Sequence, residues 1–165
     1  MTGKPLVIFD FNSESDLSEW AIVDDVVMGG RSDSYLDINK EGQGDFHGVV
    51  SLENNGGFAS TRYRPSPIPL SGQLYCKLKV KGDGKDYQFR IKEYEDERFS
   101  YIYNFETSGD WETIEIPLLE MYPSFRGRRL DKPDYAARQI SEVAILISNK
   151  RNENFQLLID SIELE

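Results

Sequence analysis

Two short blocks of this chain concentrate residue types that turn, bind and carry charge. The first is Asp24-Asp25-Val26-Val27-Met28-Gly29-Gly30-Arg31-Ser32. The second is Asn54-Asn55-Gly56-Gly57-Phe58-Ala59-Ser60-Thr61-Arg62. Each sets a Gly-Gly pair ahead of an arginine and a hydroxyl residue. Glycine reaches φ > 0 without a Cβ clash, so each pair reads as a sharp turn that presents polar side chains. If both turns lie at one end of the fold, Asp24 and Asp25 meet Arg31 and Arg62, and bidentate arginine–carboxylate pairs lock the loops together. The alternative use of the same chemistry is an arginine left free to hold an anionic group or a sugar hydroxyl. Asp24, Asp25, Arg31, Ser32, Arg62 and Arg90 are the candidates for that role.

Paired carboxylates also raise glycoside hydrolysis, which needs two acids flanking one bond. Asp24 and Asp25 are adjacent, so on a strand they point to opposite faces and make a poor pair. Glu53, Glu93, Glu95 and Asp96 offer partners, but no spacing selects one, and the expectation is a non-enzyme. The single cysteine, Cys76, lies in an alternating run far from His47, the only histidine, and reads as a buried structural thiol. With one histidine and one cysteine, three-histidine sites and zinc fingers are excluded. No cofactor is expected; a structural calcium held by Asp10 and Asp160 is the one metal possibility, and turn hydrogen bonds are the plainer use of those two residues.

A basic segment, Phe125-Arg126-Gly127-Arg128-Arg129, interrupts a chain of net charge −10. It reads either as a solvated loop or as a docking element, with Phe125, Arg126 and Arg128 contacting an acidic partner and Tyr122 as a further apolar anchor. Tyr63, Tyr87, Tyr101, Tyr103 and Trp111 could instead form a platform for stacking on sugars, although core packing is the commoner use of such rings. The acidic balance argues against nucleic acid and against anionic membranes, both of which demand a basic footprint. No stretch approaches the ~20 apolar residues of a membrane span, and no signal-peptide pattern opens the chain. Protein is therefore the expected partner, with a carbohydrate or small ligand second, and the cytoplasm the expected compartment.

The elements that position these residues are strands. Apolar and polar residues alternate at Leu74–Lys81, Tyr87–Lys92, Phe99–Phe105 and Thr113–Ile116, while Val143–Ile147 is apolar on both faces. Turn signals recur about every ten residues, a spacing typical of an antiparallel β-sandwich of jelly-roll type. The terminal runs Phe9-Asp10-Phe11 and Leu158–Ile162 are expected to pair and close a sheet edge. Ser13–Trp20 reads as one helical turn capped by Ser13 or Ser15, and Leu118–Gln139 as a long irregular loop. The length fits one domain over residues 1–165.

The order and spacing of Met28-Gly29-Gly30-Arg31-Ser32, Phe46-His47-Gly48, Gly56-Gly57-Phe58-Ala59-Ser60, Lys81-Gly82-Asp83-Gly84, Trp111, Phe125-Arg126-Gly127 and Asp160-Ser161-Ile162 resemble the complex I intermediate-associated protein 30 family. The resemblance covers nearly the whole chain and implies an all-β, galactose-binding-like jelly roll. It also implies a chaperone-like role in assembling a protein complex, as in the mitochondrial members. The absence of a presequence points to a short bacterial-type member. The family pattern has Asn-Asp-Gly-Val before Met-Gly-Gly; here Val26 stands where that glycine is expected.

Overall fold

The computed structural model describes residues 4–25 and 29–165. Val26, Val27 and Met28, and with them the departure from the family pattern at Val26, lie outside the described residues. Two antiparallel sheets face each other. One is built from β1 (Leu6–Asp10), β3 (Asp33–Ile38), β4 (Gly44–Val50), β7 (Tyr75–Lys81), β10 (Trp111–Pro117) and β15 (Glu153–Leu164), in the order β10-β7-β15-β4-β3 with β1 also on β15. The other has seven strands: β2 (Trp20–Ile22), β5 (Ala59–Tyr63), β8 (Asp86–Lys92), β9 (Ser100–Glu106), β11 (Tyr122–Phe125), β12 (Arg128–Arg129) and β14 (Glu142–Ile147). Their order is β12-β11-β9-β8-β14-β5-β2. A short ribbon pairs β6 (Ile68–Pro69) with β13 (Gln139–Ile140).

The alternation in the sequence becomes the core directly. Cys76, Leu78 and Val80 of β7 and Phe46 and Val50 of β4 face Tyr87, Phe89 and Ile91 of β8 and Val143, Ile145 and Ile147 of β14. Phe155 of β15 joins the two layers, its ring centroid 4.9 Å from Phe46 and 6.4 Å from Tyr87. The apolar phase of β15 slips by one residue between Ile159 and Ile162. The strand answers with a bulge between Ile159 and Ser161, so that both halves still point inward.

The terminal strands pair as expected, with Phe9 opposite Ile162 and Asp10 opposite Ser161. This seats Phe9 and Phe11 against Trp20, and Trp20 stacks on Tyr63 at 5.0 Å.

Two sequence expectations fail here. Ser13–Trp20 is not helical: the Asn12 side chain accepts from the Glu14 amide and the Asp16 side chain from the Ser18 amide, making two successive side-chain-capped turns. Leu118–Gln139 is not one irregular loop. Arg126 and Gly127 have φ of 50° and 79°, the positive pair of a two-residue hairpin turn, and they fold β12 back on β11.

Candidate functional site

The two Gly-Gly blocks do meet, and the group between them is the carboxylate of Asp25. It is fully buried. Its Oδ1 accepts from the Ser32 amide at 2.9 Å, and its Oδ2 accepts from the Ser32 hydroxyl, from the Gly57 amide at 2.6 Å and from the Phe58 amide at 3.2 Å. Each glycine pair divides its labour in the same way. Gly29 and Gly57 take φ of 88° and 129°, which turns the chain. Gly30 and Gly56 make room: a Cβ on Gly30 would fall inside the Asp25 carboxyl group, and one on Gly56 would lie 2.5 Å from its Oδ2. Burial pushes the Asp25 pKa up, but the amide and hydroxyl donors outweigh it and hold the group below its ordinary value.

Asp24 is buried beside it with different partners. The Ser34 hydroxyl donates to both of its oxygens at 2.7 and 2.9 Å, and the Ser60 amide to Oδ1 at 3.1 Å. Here burial prevails and the pKa is raised, with Asp25 and Asp33 adding repulsion. The expected arginine lock is thus corrected: backbone amides and serines hold the two carboxylates. Arg31 is exposed, and Arg62 belongs elsewhere. Amides win because they are fixed by the backbone and neutral. A guanidinium at this depth would lose its own hydration.

Arg62 and Arg90 come together on the face of the seven-stranded sheet that points away from the core. Arg62 on β5 and Arg90 on β8 both stand opposite Ala144 of β14, one on each side. The same row continues through Ile102 of β9 to Tyr122 of β11, while Ala21 of β2 closes its other end. The next row holds Ser60, Leu146, Gln88 and Asn104. Ala144, Leu146 and Ile102 are buried yet outside the central core cluster, so they form a separate apolar floor. Arg90 donates from Nε and Nη2 to Gln88 Oε1 at 3.1 and 2.7 Å. Among the described residues neither Arg62 nor Arg90 reaches a carboxylate within ion-pair distance. Burial, and then the like charge of Arg62, push the Arg90 pKa down to about 10. Among the described residues the one buried carboxylate of this face, Glu142, is taken by Arg64 at 2.8 Å.

The basic segment borders this face. Arg129 lies over the Tyr122 ring at 4.7 Å, and Asn104 donates to the Tyr122 hydroxyl at 3.1 Å. Arg128 sits opposite Phe125 in the hairpin, and Arg126 covers the Phe125 ring at 5.2 Å. Tyr122 and Arg129 thus join Arg62 and Arg90, whereas Phe125, Arg126 and Arg128 stay at the hairpin tip.

Most of the proposed aromatic platform points the other way. Tyr63, Tyr87, Tyr101 and Tyr103 share the core-facing side of their strands, and Trp111 is on the opposite sheet. Asp10 and Asp160 flank the β15 bulge. The Asp160 carbonyl accepts from the Phe11 amide at 3.0 Å, and its carboxylate lies 3.7 Å from Lys79. Among the described residues no three His, Cys, Asp or Glu side chains converge to hold a metal.

The architecture is that of a galactose-binding-like jelly roll. A family 11 carbohydrate-binding module from Clostridium thermocellum, solved with a mixed-linked tetrasaccharide, superposes with a TM-score of 0.68 at 18% identity, covering 97% of this chain and 94% of that one. A family 29 carbohydrate-binding module aligns with a TM-score of 0.56 at 10% identity, over 99% of this chain and 92% of that one. These likenesses define the fold. The model of the complex I intermediate-associated protein 30 family matches residues 9–159, and the chain belongs to that family. The Drosophila melanogaster protein called complex I intermediate-associated protein 30, mitochondrial, is 26% identical over 99% of this chain and 64% of its own length. For its Mus musculus counterpart the figures are 25%, 97% and 58%. This chain therefore spans about three fifths of the length of those two relatives. Among the described residues no helix is long and apolar enough to cross a membrane.

Proposed function

We propose that this domain is a non-catalytic binding protein that works as an assembly or chaperone-like factor for a multi-subunit protein complex. Its family membership supports the reading, through relatives whose names associate them with an intermediate of complex I. The observation that carries it is the outward face of the seven-stranded sheet, where Arg62 and Arg90, with no ion-pair partner among the described residues, lie half-buried over the buried Ala144, Leu146 and Ile102. Such a mixture fits a protein surface. The candidate acids support a non-enzyme. Asp24 and Asp25 spend their oxygens on structural donors, and Cys76 is fully buried with its thiol pushed far up. The cytoplasm is the proposed compartment of this chain, whereas the two named relatives are mitochondrial.

Deleting the gene in its own host tests this. The expected result is loss of a mature multi-subunit complex on native gels, with a smaller intermediate accumulating, restored by returning the chain. Unchanged complexes throughout would overturn the reading. Carbohydrate binding is the second reading, favoured by the shared fold of the two carbohydrate-binding modules. Tyr122 is the one ring of the arginine row on that outward face, which leaves little surface for sugar stacking. Saturable binding of a glucan to the intact protein, abolished by Y122A, would move the assignment to that class.

A further inference from the structure

The loop between β8 and β9, residues 93–99, and the segment 131–138 that leads into β13 enclose a cavity of about 240 Å³. Phe99 and Tyr101 wall it, their rings meeting edge to edge-on face at 5.4 Å. Tyr101 is backed in turn by the buried Tyr135 at 5.0 Å, so the wall is fixed from behind. Drug-sized ligands fill roughly 300–1,000 Å³, so this cavity suits a smaller group.

Glu93 gives the cavity its chemistry. Its side chain is 4% exposed, and among the described residues one nitrogen alone reaches the carboxylate, that of Arg138 at 3.4 Å. Charge-assisted bonds of this kind run at about 2.7–2.9 Å. The Arg138 side chain is itself 70% exposed, so the buried carboxylate has no close counter-ion. Glu97 adds a second anion. One of its oxygens accepts from the Glu93 and Tyr94 amides at 3.1 and 3.0 Å, which holds the loop and leaves the other oxygen unpartnered among the described residues. Burial, then Glu97 and Glu93, push the Tyr101 pKa up, so both carboxylates act on the same ring.

Aromatic faces attract cations, and the chain itself uses this wall in that way. The Lys132 ammonium stands 5.3 Å from the Phe99 ring centroid. Lys132 and Arg138 are both exposed at the rim, free to swing into water. Ala137, between two lining residues, is held at φ 54°, a costly conformation for alanine, and strain of this kind collects at ligand clamps. Among the described residues three carboxylates do not converge as a metal ion would require. Carboxylates beside ring faces therefore select an organic cation, and their open oxygens select one that carries N–H donors. A guanidinium, that of Arg138, already stops short at 3.4 Å. A compact ammonium has three donors that can turn to both carboxylates.

We propose that this cavity binds a primary alkylammonium group, its N–H donors directed to Glu93 and Glu97 and its carbon chain laid against Phe99 and Tyr101, with Lys132 as the tethered ammonium that it displaces from the Phe99 ring. The site is distinct from the face that bears Arg62 and Arg90, and it does not depend on the assembly role. A free amine and the lysine side chain of a partner protein share this chemistry.

The test follows the aromatic C–H signals of Phe99 and Tyr101 in the intact protein by NMR, at pH 7 and constant ionic strength. Four probes are titrated: n-butylammonium, 1-butanol, tetramethylammonium, and a blocked glycine pentapeptide with one central lysine. The expected result is saturable movement of both rings with n-butylammonium. Binding of 1-butanol and of tetramethylammonium, which has no N–H, should be at least tenfold weaker. E93Q should weaken n-butylammonium at least tenfold, and K132Q, which removes the competing ammonium from an exposed position, should tighten it at least threefold. No saturable movement with either amine probe overturns the proposal. So does unchanged binding in E93Q. Equal binding of 1-butanol overturns it in favour of a plain apolar cavity, and equal binding of tetramethylammonium in favour of a site made by the rings alone. If E93Q does not fold, K132Q decides: unchanged or weaker binding there overturns the proposal. The peptide names the source while the site stands: binding at least tenfold tighter than n-butylammonium assigns the ligand to a partner's lysine, and weaker or equal binding to a free amine.

Discussion

Asp25 and Asp24 are neighbours in the chain with opposite electrostatic fates, and acid titration separates them. The Asp25 pKa is lowered in the folded state, so its stabilisation is present above the unfolded value near 3.8 and is lost as pH falls through the folded value. The Asp24 pKa is raised, so its contribution is full below the unfolded value and is lost as pH rises through the folded one. D25N should therefore cost about 3 kcal/mol at neutral pH, because an amide leaves at least one buried donor facing another donor. D24N should be neutral or stabilising at pH 7 and remove part of the stability loss that sets in as pH rises from 3.8 toward neutral. Chemical denaturation of both variants across that range checks the pair. Arg90 carries the complementary prediction. R90M keeps the buried stem and removes the opposed charge, so its Tm should rise by about 2–4 °C, the shift expected for 1 kcal/mol in a chain of this size. A fall of similar size would mean that the bond to Gln88 matters more than the repulsion from Arg62.

Among the elements, β1 holds more in place than its length suggests. β1 is five residues long, yet its pairing with β15 brings Phe9 and the following Phe11 onto Trp20 and Tyr63. Removing residues 1–11 should unfold the protein or lower its Tm by more than 10 °C, since several aromatic faces lose their cover at once. Circular dichroism during thermal melting reads this directly. The hairpin of β11 and β12 turns on Gly127, and G127V should loosen it because a β-branched residue resists φ of 79°. Of these elements β1, β7, β8, β9, β10, β14 and β15 were legible as alternating runs. β11 and β12 were not, because two- and four-residue strands carry too few alternations, and an Arg-Gly turn does not look like the usual Asn-Gly signal. The segment Ser13–Trp20 misled for a related reason: Ser and Asp favour side-chain-capped turns as readily as helix starts.

At the scale of the whole molecule, one core lies between two sheets, and the seven-stranded sheet has a second, smaller apolar layer on its outward side. β14 is buried at every position because it contributes to both. Its amides should be among the slowest to exchange with deuterium, and those of the edge strands β2 and β3 among the fastest. Hydrogen exchange resolved by residue checks this order; rapid exchange in β14 would contradict the double burial. The acidic surface gives the chain solubility, and the cationic face is the local exception to it.

The sequence alone determined that this is an antiparallel β-sandwich whose terminal strands pair, and its motifs by themselves point to the family. Those features are local or periodic: alternation, turn residues, and glycines at fixed spacing. It also brought forward Asp24, Asp25, Arg62 and Arg90, but it joined the wrong ones. Only the tertiary structure decided that Asp25 is held by amides from a turn thirty-odd residues away, and that Arg62 meets Arg90 across Ala144. The reason is register. Which residues stand opposite one another is set by how three strands from distant parts of the chain align, and no window of sequence contains that alignment.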